Sequence, residues 1–262
     1  MMKIAVCIKQ VPAYSDGMMD PKTGVMLRDG LESILNVYDL PAIETALKIK
    51  EEVGADVHIF TMGPSKASAV IREAYSMGAD RGYLISDKSF SGADVLATSY
   101  ALTQGMKLVE DYDLILCGKQ TTDGDTAQVS GAIAKWLKIP HVNWVTKIVG
   151  IEKDSITVSQ MMEEEIVTLK IPYPCLLSVE PSIFIPRLPS LKLKIGSKKK
   201  KIEVLSLVDM EDKEEGNYGL AGSPTKVERI FPVHRTEQQK IIEKDSREAA
   251  KYILEVIENI NK

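Results

Sequence analysis

The stretch LILCGKQTTDGDTAQV, residues 114–129, decides the fold class. Its first four residues form a continuous apolar run, which is typical of a parallel strand that is buried on both faces. A polar turn containing Gly124 follows, and a helical pattern then starts near Thr126 and ends before Pro140. A strand that runs through a polar turn into a helix is the repeating unit of an α/β protein.

The same unit repeats upstream of this stretch. Apolar runs predict strands at 3–9, 56–62 and 82–86, and helical patterns predict helices at about 40–52, 65–77 and 93–110. In the first helix we expect Asp39 to be the cap, and Glu44 with Lys48 to form a pair on the solvent side. The order β-α-β-α-β-α-β predicts a doubly wound, mostly parallel, Rossmann-like sheet.

Beyond Pro140 the pattern changes. Short β-type runs at 144–151, 155–160 and 166–171 predict an antiparallel extension with a hairpin turn at Lys153 and Asp154. Residues 174–179 predict one more core strand, and the proline-containing stretch that follows is expected to be exposed and irregular.

The C-terminal part predicts an arm and a helix. Residues 216–232 are rich in Gly, Pro and Ser, and an amphipathic pattern follows at 237–259. We therefore predict an α/β nucleotide-binding domain at 1–215 and an extended arm with a C-terminal helix at 216–262. That helix packs either on a partner subunit or on the chain itself.

Composition excludes several classes of protein. With 44% hydrophobic and 27% charged residues the chain is globular, and a net charge of −4 argues against bulk nucleic-acid binding. No apolar run approaches the roughly 20 residues of a membrane span, and the strand-like start has no leader, so we expect a cytoplasmic protein. Three distant cysteines favour neither disulfides nor an iron–sulfur site, so redox chemistry would require an organic cofactor.

A nucleotide site is expected where the parallel strands end. At the turn before the fourth helix, free backbone N–H groups and the helix dipole attract a pyrophosphate, and Thr126 and Gln128 offer further donors. Asp123 or Asp125 would cap the helix or accept ribose hydroxyls, although such a turn is often only solvated. A magnesium site is disfavoured because a third carboxylate is missing. The strand ends at 7–10 and 62–64 would flank an adenine; core packing is the alternative.

The sequence contains no recognisable catalytic constellation. His58, His141 and His234 fall in a strand, at a strand start and in the distal arm, so they predict neither a triad nor a metal site. A Walker-type loop and the glycine fingerprint of NAD enzymes are both missing, which disfavours kinases and ordinary dehydrogenases. An adenine-nucleotide hydrolase would lack its general base and metal ligands.

A candidate docking loop covers 183–201. Exposed-type apolar residues, among them Leu188, Leu191 and Leu193, lie in a stretch that we expect to be too short and proline-broken for a helix. Four lysines follow at Lys198, Lys199, Lys200 and Lys201. A lysine run is usually a solvated surface, but beside exposed leucines it indicates a docking site for an acidic partner.

Four motifs resemble one known family, the beta subunits of electron-transferring flavoproteins. They are KIAVCIKQVP at 3–12, MGADRG at 77–82, GKQ at 118–120 with its acidic turn, and PR at 186–187 followed by KKKKIEV at 198–204. The resemblance implies a heterodimer with an alpha subunit and a crevice that binds AMP or FAD. It implies these binding residues: Cys7, Asn36, Val37, Tyr38, Asp39, Met62, Gly63, Asp123, Gly124, Asp125, Thr126, Ala127, Gln128 and Val129.

Two segments resemble the electron-bifurcating branch of that family, VYDLP at 37–41 and DGDTAQV at 123–129. This branch implies FAD with NADH as electron donor, a low-potential acceptor such as ferredoxin or flavodoxin, and an acyl-CoA dehydrogenase-type partner. Leu191 aligns with the family's docking leucine. One departure is that SQMM, not a Lys or Arg, precedes the acidic hairpin at 163–165.

Overall fold

The computed structural model describes residues 1–13, 32–226 and 245–260. The strands in these ranges are β1 (Met2–Cys7), β2 (Gln10–Pro12), β3 (Ser33–Leu35), β4 (Ala55–Met62), β5 (Arg81–Ile85), β6 (Leu114–Gly118), β7 (His141–Ile151), β8 (Ser155–Met161), β9 (Ile166–Pro172), β10 (Cys175–Val179) and β11 (Glu203–Leu205). The α-helices are α1 (Leu40–Val53), α2 (Ser68–Met77), α3 (Val95–Val109), α4 (Val129–Leu137), α5 (Leu191–Ser197) and α6 (Ser246–Ile260).

The described residues build a nine-stranded sheet in the order β11-β5-β4-β1-β6-β10-β7-β8-β9. The strands from β11 to β7 are parallel, whereas β8 runs antiparallel to both of its neighbours, β7 and β9. This confirms the α/β fold with a mostly parallel sheet and an antiparallel extension. Starting from β1, later strands are added on both sides of it, which is the property that defines a doubly wound sheet.

Both faces of the sheet are covered. In β1, Ile4 and Val6 pack in one apolar cluster with residues of α1 and α2, while Ala5 and Cys7 pack in a second cluster with residues of α3 and α4. Successive side chains of a strand point to opposite faces, so a strand covered on both sides is apolar at every position. The continuous apolar runs predicted this arrangement.

Three strands, in two pairings, were not predicted. Residues 203–205 extend the parallel sheet as β11 beside β5, and β2 with β3 forms a small antiparallel sheet. Both pairings are too short to give a periodic pattern in the sequence. The second one matters for the site, because it brings the segment after β3 beside the end of β1.

One expectation about α1 was wrong, and a second is confirmed only in position. Glu44 is buried and its carboxylate binds the guanidinium of Arg187, while Lys48 pairs with Glu51. Asp39 stands at the N-cap position, but its side chain makes no capping hydrogen bond and accepts one from the backbone N–H of Lys9 instead. Helix periodicity alone could not reveal these distant partners.

The C-terminal helix forms a separate unit of the chain, and the start of the predicted helix, 237–244, lies outside the described residues. Before that unit, Tyr218 is buried against Phe90 and Tyr100 of the α/β body. The boundary between 215 and 216 stays a prediction. No helix in the described ranges is long and apolar enough to cross a bilayer.

Candidate functional site

Two adjacent strands, β1 and β6, mark the point where the strand order reverses. Cys7 lies beside Cys117 in the register of these two strands, and the loops that leave their carboxyl ends run to opposite faces of the sheet. Such a reversal leaves a crevice at the carboxyl edge of the sheet, which is the usual ligand position in this architecture.

Three loops meet at this crevice through hydrogen bonds. The backbone N–H of Lys9 donates to Asp39 Oδ2 at 2.8 Å, and Lys9 Nζ donates to Asp123 Oδ1 at 2.7 Å. Asn36 Nδ2 donates to the carbonyl of Gln120 at 2.8 Å. The structure therefore brings together predicted residues that are more than 80 positions apart in the sequence.

Gly118 explains why a glycine follows the buried strand β6. A Cβ atom at this position would lie 2.3 Å from Asp39 Oδ1 and 2.4 Å from the carbonyl oxygen of Tyr38. No larger residue fits without displacing the segment before α1. The glycine of the GKQ motif thus lets two loops approach each other closely.

The turn between β6 and α4 has an unusual backbone. Asp125 and Ala127 have φ values of 47° and 54°, and α4 begins only at Val129. The expected start near Thr126 was wrong because left-handed residues cannot continue a right-handed helix. Neither aspartate caps the helix, since Gln128 stands at the N-cap and Asp123 is engaged by Lys9.

Donors on this turn remain available. Within the described residues the side chains of Thr126 and Gln128 make no hydrogen bond, and the first N–H groups of α4 have no partner in the preceding helical turn. Successive backbone N–H groups around left-handed residues form concave anion sites. The turn can therefore receive phosphate oxygens.

Asp39 is the most perturbed carboxyl of the crevice. Burial raises its pKa to about 7, against the hydrogen bonds from Lys9 and Asn36 that favour the ionised form. Burial also acts on Asp123, but the hydrogen bond and the charge of Lys9 outweigh it and hold the pKa of Asp123 below its ordinary value. Asp39 therefore titrates near neutral pH, whereas Asp123 is ionised and paired with Lys9.

The remaining predicted residues line the edge of the same crevice. Cys7 is buried and hydrogen-bonds to Cys117, and this bond together with burial raises the pKa of the Cys117 thiol. Val37 is exposed and Tyr38 is half-buried. Met62 and Gly63 end β4 beside β1, where the N–H of Gly63 donates to the carbonyl of Ile85 at 3.0 Å.

Sequence reasoning gave no individual role to two lysines near the crevice, Lys9 and Lys119. Lys9 joins Asp39 and Asp123, as described above. Lys119 Nζ binds Glu180 Oε1 at 2.7 Å and lies 5.5 Å from the ring centroid of Trp144. A cationic residue directly after an apolar strand was the only available signal for Lys9 and Lys119.

The candidate docking loop lies elsewhere, on the outer side of α2. Its leucines are exposed, with 74% of Leu191 accessible, whereas Ile183 at its start is buried; the expectation that the loop forms no helix was wrong. Leu191 begins the seven-residue helix α5. Arg187 anchors the approach to α5 through two hydrogen bonds to Glu44, at 2.8 and 2.9 Å.

The four lysines after α5 differ in their surroundings. Lys198, Lys199 and Lys201 are all exposed. Lys200 is half-buried: its Nζ donates to the carbonyl of Ala79 at 2.7 Å and lies over the ring of Tyr75. Lys200 is therefore occupied by structural contacts, which sequence could not distinguish from its neighbours.

His58 is completely buried in β4. Its Nδ1 lies 2.8 Å from Tyr112 Oη and its Nε2 lies 3.0 Å from Asp56 Oδ2. In the described part of the chain no three His, Cys, Asp or Glu side chains are grouped so that they could hold a metal ion.

Comparison with known proteins identifies the family of this chain. A family model described as the electron transfer flavoprotein domain matches residues 23–210. The chain is 40% identical over 256 residues to the electron transfer flavoprotein subunit beta of Thermoanaerobacterium thermosaccharolyticum, with 97% of each chain covered. The corresponding subunit of Clostridium acetobutylicum is 37% identical, with 97% of this chain and 96% of the relative covered.

A third relative belongs to a named enzyme complex. It is subunit CarD of the caffeyl-CoA reductase-Etf complex of Acetobacterium woodii, 43% identical over 231 residues, which cover 88% of this chain and 87% of the relative.

Proposed function

This chain belongs to the electron transfer flavoprotein family as a protein of the beta-subunit type, and we propose that it binds FAD in the crevice between β1 and β6 and transfers electrons together with an alpha subunit. The observation that carries the proposal is the turn at 121–128. The N–H of Asp125 donates to the carbonyl of Thr121 at 3.2 Å within the turn, and the left-handed backbone at Asp125 and Ala127 leads into the start of α4, whose first N–H groups are the donors that face the point where the three loops meet.

Different residues of the crevice would bind the pyrophosphate and the adenosine half of the nucleotide. The turn from Asp123 to Val129 would hold the pyrophosphate through backbone N–H groups, with Thr126 and Gln128 as further donors. The ammonium of Lys9 compensates the negative charge of Asp123 at this turn. With that carboxylate compensated, the N–H donors of the turn fit an anionic dinucleotide.

The other predicted residues would enclose the adenosine half. Cys7, Met62 and Gly63 at the ends of β1 and β4 would flank the adenine, with Asn36, Val37, Tyr38 and Asp39 on the opposite loop. The hydrogen bond from Asn36 to the carbonyl of Gln120 holds this loop beside the turn. Gly124 accepts close approach of a ligand, since a Cβ atom there would meet only Thr121 Oγ1 at 3.5 Å.

Bound FAD would accept a hydride from NADH and deliver its electrons to two acceptors, a low-potential carrier such as ferredoxin or flavodoxin and an acyl-CoA dehydrogenase-type flavoprotein. The segments 37–41 and 123–129 support this bifurcating role, as does the relative whose name includes a caffeyl-CoA reductase complex. The chain itself would bind and orient the cofactor and exclude water. The cytoplasmic location stays a prediction.

AMP is the alternative occupant. A beta subunit that holds AMP would leave the alpha subunit with the only flavin, and the crevice would then have a structural role. The turn accommodates the phosphate of either nucleotide, so the two functions differ in chemistry but not in this part of the site.

Nucleotide extraction from the purified heterodimer distinguishes the two functions. We expect two FAD per heterodimer, measured by chromatography and absorbance after acid release. One FAD with one AMP would contradict the FAD assignment and leave the beta-subunit role in place.

Substitution at the turn tests the site itself. We expect Gly124→Leu to abolish nucleotide retention, because the side chain would occupy the space of the phosphate, while the melting temperature stays within a few degrees. Gly196→Leu is a matched control, since a Cβ atom at Gly196 has no neighbour within 4 Å and the residue lies in α5. Equal nucleotide content in both variants would show that the nucleotide does not bind at this turn.

The docking loop would guide the partner dehydrogenase. Leu191 is exposed at the start of α5 and would be the apolar anchor, with Lys198, Lys199 and Lys201 as an electrostatic rim. Lys200 would contribute through the shape of the loop, because its ammonium is already bound to Ala79. The arm and helix at 216–262 would pack on the alpha subunit.

A further inference from the structure

Trp144 has a backbone conformation that a bulky residue rarely adopts. Its φ is 59°, in the left-handed region where a glycine is accommodated at little cost and a tryptophan is strained. It lies on β7 where the register with β10 shifts between Leu177 and Val179, and such irregularities redirect a side chain. Strain of this kind persists mainly where the side chain has a function.

The strained backbone is held in place by a small polar network. The N–H of Trp144 donates to Ser178 Oγ at 3.1 Å, and Ser178 Oγ in turn donates to Asn143 Oδ1 at 3.3 Å. Ser130 Oγ, in the first turn of α4, donates to the same Asn143 oxygen at 3.2 Å. The network therefore links the position of Trp144 to the start of the helix that follows the phosphate turn.

The indole lies at the same edge of the sheet as the crevice. Val145, the next residue, pairs with Val179, which pairs with Gly118 at the end of β6. Two strand spacings place Trp144 about 10 Å from that end. Lys119, held by Glu180, extends toward the ring and stands 5.5 Å from its centroid, yet 43% of the tryptophan stays exposed.

We propose that Trp144 is the platform on which the flat ring system at the distal end of a bound dinucleotide stacks. The inference rests on the proposed dinucleotide site and adds a residue that decides between its two candidate ligands. AMP ends at its phosphate, so it has no ring to place beyond the turn. A dinucleotide continues past the pyrophosphate, and the electron-rich face of an exposed indole suits an electron-poor aromatic ring.

The test measures binding of AMP and FAD to the full-length chain, freed of nucleotide, by isothermal titration calorimetry. We expect Trp144→Ala to weaken FAD binding about tenfold and to leave AMP affinity within about twofold of wild type. Trp144→Phe keeps an aromatic face and should retain most of the FAD affinity. Trp144→Gly removes the ring and relieves the φ strain, so it replaces the alanine variant in the titration if that variant folds poorly.

Trp136 is the matched control. Its indole donates to Ser99 Oγ and packs edge-on against Tyr100, away from the network of Trp144. Trp136→Phe should leave the ratio of FAD to AMP affinity unchanged.

Three outcomes would overturn the assignment in distinguishable ways. FAD affinity unchanged in Trp144→Ala and Trp144→Gly would refute the platform while the dinucleotide site stands. Equal losses for AMP and FAD would mean that Trp144 supports the crevice only structurally. A wild-type chain that binds AMP but no FAD would refute the proposed FAD function, and the platform with it.

Discussion

Replacing Asp39 by asparagine isolates the electrostatics of the crevice. The Asp39 carboxyl is buried, accepts the Lys9 N–H at 2.8 Å and has its pKa raised to about 7. An asparagine oxygen can accept the same hydrogen bond but cannot ionise. The variant therefore removes a titration and keeps the main contact.

The sign of the effect follows from the direction of the shift. The pKa of Asp39 is about 7 in the folded chain and 3.8 in the unfolded one, so between these values the folded state holds the extra proton. Stability then decreases as the pH rises from about 4 to about 7, and the full penalty is present above pH 7. At 1.36 kcal/mol per pH unit the penalty is at most about 4 kcal/mol.

Urea unfolding followed by circular dichroism at pH 5, 6, 7 and 8 measures this penalty. We expect Asp39→Asn to stabilise the chain by about 2–4 kcal/mol at pH 8 and by much less at pH 5. Other titrating groups are common to both proteins and cancel in the difference. Parallel stability curves across this range would refute the reasoning and indicate that Asp39 ionises as an ordinary carboxylate.

The same carboxyl should couple to the ligand. A phosphate bound at the 123–129 turn adds negative charge near Asp39 and favours its neutral form, so AMP affinity of the wild type should fall between pH 6 and pH 8 more steeply than that of Asp39→Asn. Because the phosphate itself titrates near pH 6, the comparison is made between the two proteins at each pH. Identical pH profiles would show that the ligand does not sense Asp39.

Gly118→Ala should destabilise the chain by about 2 kcal/mol and release the nucleotide, since its Cβ would collide with Asp39 and Tyr38; an unchanged melting curve would contradict the close approach. Glu44→Gln should cost about 3 kcal/mol because it leaves Arg187 without its buried partner. Glu51→Gln, at an exposed position, should cost less than about 1 kcal/mol in the same urea titration, and equal losses would argue against this difference. Leu191→Ala should slow electron delivery to the partner dehydrogenase more than about tenfold with no change in melting temperature, whereas a lower melting temperature with normal delivery would make Leu191 a structural residue.

Sequence patterns predicted the elements of the α/β core well because each core strand is buried on both faces. The continuous apolar runs at 3–9 and 114–117 and the helices between them follow from burial and period alone. The polar turn between β6 and α4 was likewise predictable, since a helix that follows a parallel strand exposes its first N–H groups at the carboxyl edge. These features depend on neighbours in sequence.

The structure decided what depends on distant residues. Periodicity placed Glu44 on a solvent face, but Arg187, 143 positions later, draws it into a buried ion pair. The four lysines look alike in the sequence, yet only the folded chain brings Lys200 to the carbonyl of Ala79. The strain at Trp144 has no sequence signal at all, because nothing local distinguishes a left-handed tryptophan from an ordinary strand residue.

The sequence by itself thus determined which segments become the core strands and helices and where a polar turn follows a buried strand, because local periodicity and turn residues are encoded within a few positions. Only the tertiary structure decided which side chains meet in the crevice. Lys9, Asp39 and Asp123 are brought together by hydrogen bonds that span 30 and 114 positions, and the burial that raises the pKa of Asp39 exists only once the loops around it have closed.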